Sequence, residues 1–131
     1  MAYEISNNVL KITLVAGADL SSKQYYLVKL NSSGQAILCA AATDKPIGIL
    51  QNSPESGEEA SVLVVGGSKV VVGASSDEGD SIGTTSAGKA TPYVQGTDTT
   101  KYIVGQVILA AGADNEIATV VVNCASAARG A

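Results

Sequence analysis

Between positions 9 and 15 (Val-Leu-Lys-Ile-Thr-Leu-Val) apolar and polar residues alternate, the two-residue period of a half-buried β-strand. Apolar runs of similar length follow at 25–30, 36–40, 46–50, 60–65, 69–73, 102–109 and 117–122, with weaker ones near 80–83 and 90–95. Most hold four to eight residues and are bounded by Gly, Pro, Asn, Asp or Ser. That spacing predicts short strands joined by tight turns, as in a sandwich or barrel. No window carries apolar residues at i, i+3, i+4 and i+7 between helix caps. The best helical candidate is Ala125 to Ala128, short enough to be a frayed turn. The expected fold class is all-β, a compact sandwich or barrel-like domain.

The order of landmarks along the chain repeats. When residues 15–64 are laid over 72–122, Val15-Ala16-Gly17-Ala18 meets Val72-Gly73-Ala74, and Ser33-Gly34-Gln35-Ala36 meets Ala87-Gly88-Lys89-Ala90. Pro46-Ile47-Gly48 meets Ile103-Val104-Gly105, and Glu59-Ala60-Ser61-Val62-Leu63-Val64 meets Ile117-Ala118-Thr119-Val120-Val121-Val122. The pattern predicts two pseudo-repeats of about 55 residues, roughly 12–66 and 70–123. Gly34 and Gly88 suit a tight connection with positive φ between two strands. Gly48 and Gly105, each inside an apolar run, suit a bulge or a close approach of two backbones. One repeat alone would leave an apolar face wet, so residues 1–131 are read as a single domain, with flexible arms at 1–8 and 125–131 as candidates.

Composition sharpens this picture. The 131 residues are 46% hydrophobic yet include no Phe and no Trp, so Val, Ile, Leu and Ala make the core. Eight basic against twelve acidic residues leave a net charge of −4. The basic residues are scattered, which argues against nucleic acid and anionic membrane as partners. No stretch approaches the length of a membrane span, and the start lacks the basic and apolar regions of a secretory signal, so synthesis and folding in a cytoplasm are expected. Cys39 and Cys124 each sit in or beside an apolar run. In a reducing compartment they read as two small buried hydrophobes, with a disulfide as the alternative.

Candidate chemistry is sparse. Gly83-Thr84-Thr85-Ser86-Ala87-Gly88-Lys89-Ala90 has the outline of a phosphate loop, but Ala90 stands where Ser or Thr would hold Mg²⁺. The following Thr91-Pro92-Tyr93-Val94 is strand-like, whereas the motif needs a helix. The acidic turn Asp77-Glu78-Gly79-Asp80 and the cluster Glu55, Glu58, Glu59 lack calcium-loop spacing and read as solvated turns. With no His in the chain, the commonest general base is missing. No catalytic residue, cofactor site, metal site or small-molecule substrate is assigned, and an enzyme is not expected. The large side chains are five tyrosines, of which adjacent Tyr25 and Tyr26 would point to opposite faces of a strand. Tyr3, Tyr25, Tyr26 and Arg129 are the candidate partner contacts.

The pattern resembles the small β-rich decoration (cement) proteins of tailed-bacteriophage capsids. The likeness spans roughly 12–123 and is carried by Val15-Ala16-Gly17-Ala18, Ile47-Gly48-Ile49-Leu50, Ser56-Gly57-Glu58-Glu59-Ala60-Ser61-Val62, Lys69-Val70-Val71-Val72-Gly73-Ala74 and Ile103-Val104-Gly105. The resemblance implies a protein on the outer surface of the virion. It would bind the major capsid protein there as a homo-oligomer, commonly a trimer, and clamp neighbouring subunits. It brings no catalytic residues. A head-fibre base or tail component, or a non-catalytic module that binds carbohydrate or metal, are the alternatives.

Overall fold

The computed structural model describes residues 9–129, and Tyr3 lies outside them, as do the candidate arm at 1–8 and the last two residues. The described residues are all-β, and their nine-stranded main sheet curls into a half-barrel. Its strands are β1 (Leu10–Val15), β2 (Leu27–Leu30), β3 (Ala36–Leu38), β4 (Gly48–Leu50), β5 (Glu59–Val71), β6 (Ser81–Thr84), β7 (Ala90–Pro92), β9 (Gly105–Leu109) and β10 (Ile117–Asn123). The hydrogen-bonded order is β3-β2-β4-β5-β10-β9-β6-β7, with β1 also paired to β5. Two short strands, β8 (Tyr102–Ile103) and β11 (Ala128–Arg129), pair separately after a single 3-10 turn at Cys124–Ser126.

Two expectations need correction. The runs at 60–65 and 69–73 are not two strands but one, since β5 continues through Gly66 and Gly67 for 13 residues. Gly66 takes φ +135, and the register of β1 against β5 shifts between Leu10 and Lys11, so the glycine relieves a bulge rather than ending the strand. Tyr25 and Tyr26 precede β2 instead of opening it, and Tyr25 adopts φ 68. Over the described part of the tail, Arg129 pairs with Tyr102 and Ala128 with Ile103.

Pairing geometry in the first half of the sheet has counterparts in the second. Val15 opposite Glu59 and Leu14 opposite Ala60 correspond to Val71 opposite Ile117 and Val70 opposite Ala118. Leu50 opposite Val62 corresponds to Val107 opposite Val120. At the β2–β3 hairpin the Asn31 side-chain oxygen accepts from the Ser33 and Gln35 amides, while Gly34 takes φ +72. At β6–β7 the Thr85 hydroxyl accepts from Ala87 and Lys89, and Gly88 takes φ +74. These side-chain bonds add to the backbone bonds that close each turn, from the Asn31 amide to the Gln35 carbonyl and from the Thr85 amide to the Lys89 carbonyl.

Two apolar clusters form the core. One holds Ala16, Leu20, Val28, Ala36, Leu50, Ala60 and Val62 beneath the first half. The larger joins Val70, Val72, Ile82, Val107, Ala118 and Val120 of the second half to Leu27, Cys39, Ile49 and Leu63 of the first. Both halves therefore share a core of small aliphatic side chains, with the Tyr25 ring packed against its larger cluster.

Candidate interaction surfaces

The segment with the outline of a phosphate loop is built from a hairpin. Gly83 lies in β6, Gly88 in the turn and Ala90 opens β7, with no helix to present amides to a phosphate. The Lys89 ammonium lies 2.9 Å from an Asp114 carboxylate oxygen, so its charge is already partnered. The acidic turns spend their carboxylates on their own backbone. Glu58 accepts from the Glu55 amide at 2.7 Å, Asp80 from the Asp77 amide at 2.9 Å, and Glu78 from the Ala110 amide at 2.7 Å. That last bond holds the Glu78 carboxyl below its ordinary range. Among the described residues no group of three His, Cys, Asp or Glu is placed to hold a metal ion.

Two carboxylates act as loop clasps. Asp44 accepts from the Ala40 and Ala41 amides at 2.8 and 2.9 Å and meets the Lys29 ammonium at 2.9 Å. Partial burial works against ionisation there, but the ammonium and the two amides outweigh it and hold the carboxyl below its usual value. Asp98 repeats the device, accepting from the Val94 amide at 2.7 Å and meeting Lys101 at 3.0 Å. The amide first and the ammonium second hold its carboxyl below the usual value as well. Both clasps fix loops that follow a hairpin, where an ionised acceptor makes a stronger bond than a neutral one.

Both cysteines are free, buried thiols. Burial pushes each up to about 12; at Cys39 a bond with Thr84 opposes this, and at Cys124 the neighbouring Cys39 adds to it. They serve as core hydrophobes, not nucleophiles.

The candidate partner contacts do not converge. Tyr25 sits against the larger core cluster with the Lys69 ammonium 5.8 Å from its ring centre. Its carbonyl accepts from Val71 and its amide donates to Leu50, so its backbone ties the loop to β5 and β4. Tyr26 carries the Lys23 ammonium over its ring at 4.8 Å. Arg129 is exposed on β11, which pairs with β8 and not with a strand of the main sheet. None of these three lines the shallow groove of about 390 Å³ formed by Lys29, Leu30, Lys45, Pro46, Ile47 and Cys124. Lys29 there is held by Asp44, and Lys45 leans toward the Tyr102 ring at 5.8 Å.

Sequence reasoning missed a further surface. Ile108, Leu109, Ile117 and Val121 are large aliphatic side chains left exposed on β9 and β10. Period-two alternation along 117–122 was hidden by Val and Ala at every buried position and Ile, Thr and Val at the outward ones.

Among the described residues no helix is long and apolar enough to cross a membrane. No family model matches the chain, and no curated protein matches it in sequence. Among solved structures the chain is similar to the crystal structure of the head fiber gp8.5 N base in bacteriophage phi29, with a TM-score of 0.63 at 17% identity, over 89% of this chain and 96% of that one. At that identity the likeness is one of fold, and it extends over nearly the whole of both molecules.

Proposed function

We propose that this chain is a structural protein of a bacteriophage virion, built from two copies of one β-motif and without catalytic activity. The observation that carries the reading is the fold it shares, over 89% of its length, with a phage head-fibre base. The sequence resemblance to capsid decoration proteins, made on different grounds, points to the same class. In the form we favour, the protein sits on the outer surface of the capsid, contacts the major capsid protein as a homotrimer and clamps neighbouring subunits. Packaged DNA presses outward on a shell. A symmetric oligomer that touches several subunits makes its second and third contacts intramolecular, so weak patches add up to firm attachment. A body of short strands with backbone-clasped loops suits a rigid spacer, since little of it is left to order on binding.

The likeness to a head-fibre base favours a second reading, in which the same block anchors a projecting fibre. Heating separates the two. Particles with and without this protein should release DNA at different temperatures if it clamps the shell. Equal rupture temperatures, with the protein present on the head, would remove the clamp and leave the fibre base.

A further inference from the structure

The outward face of the second half of the sheet is aliphatic where the backbone does not require it. On β10 the buried Ala118, Val120 and Val122 alternate with Ile117, Thr119 and Val121, which point away from the core. Leu109 is paired with Thr119 and shares that outward face, beside Ile108 at the register shift. Ile108, Leu109, Ile117 and Val121 are 49%, 62%, 51% and 42% exposed. No outward residue of β9 or β10 is charged.

At two of the corresponding places the first half carries polar groups, while Leu10, Val15 and Leu30 are its own exposed aliphatics. Glu59 holds the place opposite Val15 that Ile117 holds opposite Val71. Counting two residues on from the Leu50–Val62 and Val107–Val120 pairs puts Asn52 in the place of Leu109. Asn52 there donates to the Glu59 carbonyl and accepts from the Ser61 amide. The backbone thus forms with Asn and Glu at these two places, and the aliphatic groups at 109 and 117 answer to something outside the fold.

We infer that the β9–β10 face is the surface through which copies of this chain meet one another. The four side chains lie on two paired strands and are all at least 42% exposed, an apolar cluster of the kind that marks a contact surface. A stable contact needs about 800 Å² per partner, with an apolar centre and a polar rim. This patch supplies such a centre, and Gln106, Asn123 and Lys69 supply a rim. Charge selects the same face. Copies carrying −4 each repel over most of their surface, whereas the outward residues of β9 and β10 include no carboxylate; Glu78, on the Ala110 amide, and Glu116 lie at the edge of the face, and Lys69, opposite Thr119, flanks it. The inference names a surface for the oligomer proposed above but stands without the virion reading.

Sedimentation velocity on the full chain tests it, comparing wild type with Leu109→Asn/Ile117→Glu, which installs the residues the first half carries. The wild type should sediment as an oligomer and the double variant as a 13.1 kDa monomer with an unchanged circular-dichroism spectrum. If the double variant unfolds, Ile108→Gln takes its place, since the corresponding position 51 is Gln. A wild type that stays monomeric at its highest soluble concentration overturns the inference, as does an oligomer that the substitutions leave intact. A monomeric wild type whose variant no longer binds particles overturns it too and assigns the face to the shell.

Discussion

Gly105→Ala places one methyl group where two strands come closest. A Cβ at Gly105 would land on the Val121 carbonyl oxygen and within 2.9 Å of Val122 Cα. Both obstacles are backbone, so no side chain can rotate out of the way. Relief requires β9 to move off β10 by about 1 Å, an overpacking cost of about 1–3 kcal/mol. That shift also loosens the Asn123 amide to Val104 carbonyl bond at 2.8 Å and the Val104 amide to Ile82 carbonyl bond at 3.0 Å. Weakened backbone bonds add about 1 kcal/mol, giving about 3 kcal/mol in all. At roughly 3–4 °C per kcal/mol for a domain of this size, the melting midpoint should fall by about 10 °C. Gly48→Ala should behave alike, because its Cβ would meet the Leu63 carbonyl oxygen and the Val62 side chain. Gly67→Ala is the control, since its nearest atom is the Val120 carbonyl oxygen at 3.8 Å, and its shift should stay within about 2 °C. Thermal melts by circular dichroism read all three. A Gly105→Ala midpoint within about 2 °C of wild type would refute the packing described for β9 on β10.

Other outcomes follow from the clasps, thiols and turns. Asp44 is held below its ordinary pKa in the folded state, so the stability it contributes is present above the unfolded value of about 3.9 and is lost as pH falls through the lower folded one. Urea melts from pH 7 to pH 3 should show this loss below about pH 4 in wild type and less of it in Asp44→Asn, which at neutral pH should cost about 1 kcal/mol. Cys39 and Cys124, raised to about 12 by burial, should resist a thiol reagent in the native protein and react on unfolding; prompt labelling of the folded chain would contradict the core described here. Gly88→Ala should destabilise more than Gly34→Ala. Both glycines hold positive φ, worth about 1 kcal/mol, but only at 88 would a methyl meet Leu38 Cδ1 at 2.5 Å and the Leu27 carbonyl oxygen at 3.0 Å. Equal melting midpoints would rule that contact out.

Much of the fold could be read from local pattern because its strands are short and their turns carry strong signals. Gly34 and Gly88 sit at the hairpin turns expected of them, and Gly48 and Gly105 at close backbone approaches. Gly66-Gly67 misled, since two glycines between apolar runs look like a turn, while here they let one long strand bend and serve β1 and β10 in succession. Tyr25 and Tyr26 looked like the start of a strand by β-propensity, yet tertiary bonds from Val71 and to Leu50 hold Tyr25 in a left-handed turn. The aliphatic face of β9 and β10 was illegible for a different reason. Ile108, Leu109 and Ile117 have the composition of core residues, and only the completed sheet tells which side they face.

The proposed role as a building block of a phage head is tested most directly by a density map of intact particles. The account predicts density of this half-barrel fold on the exterior of the head, where neighbouring capsid subunits meet. Purified particles that lack the chain altogether would contradict it.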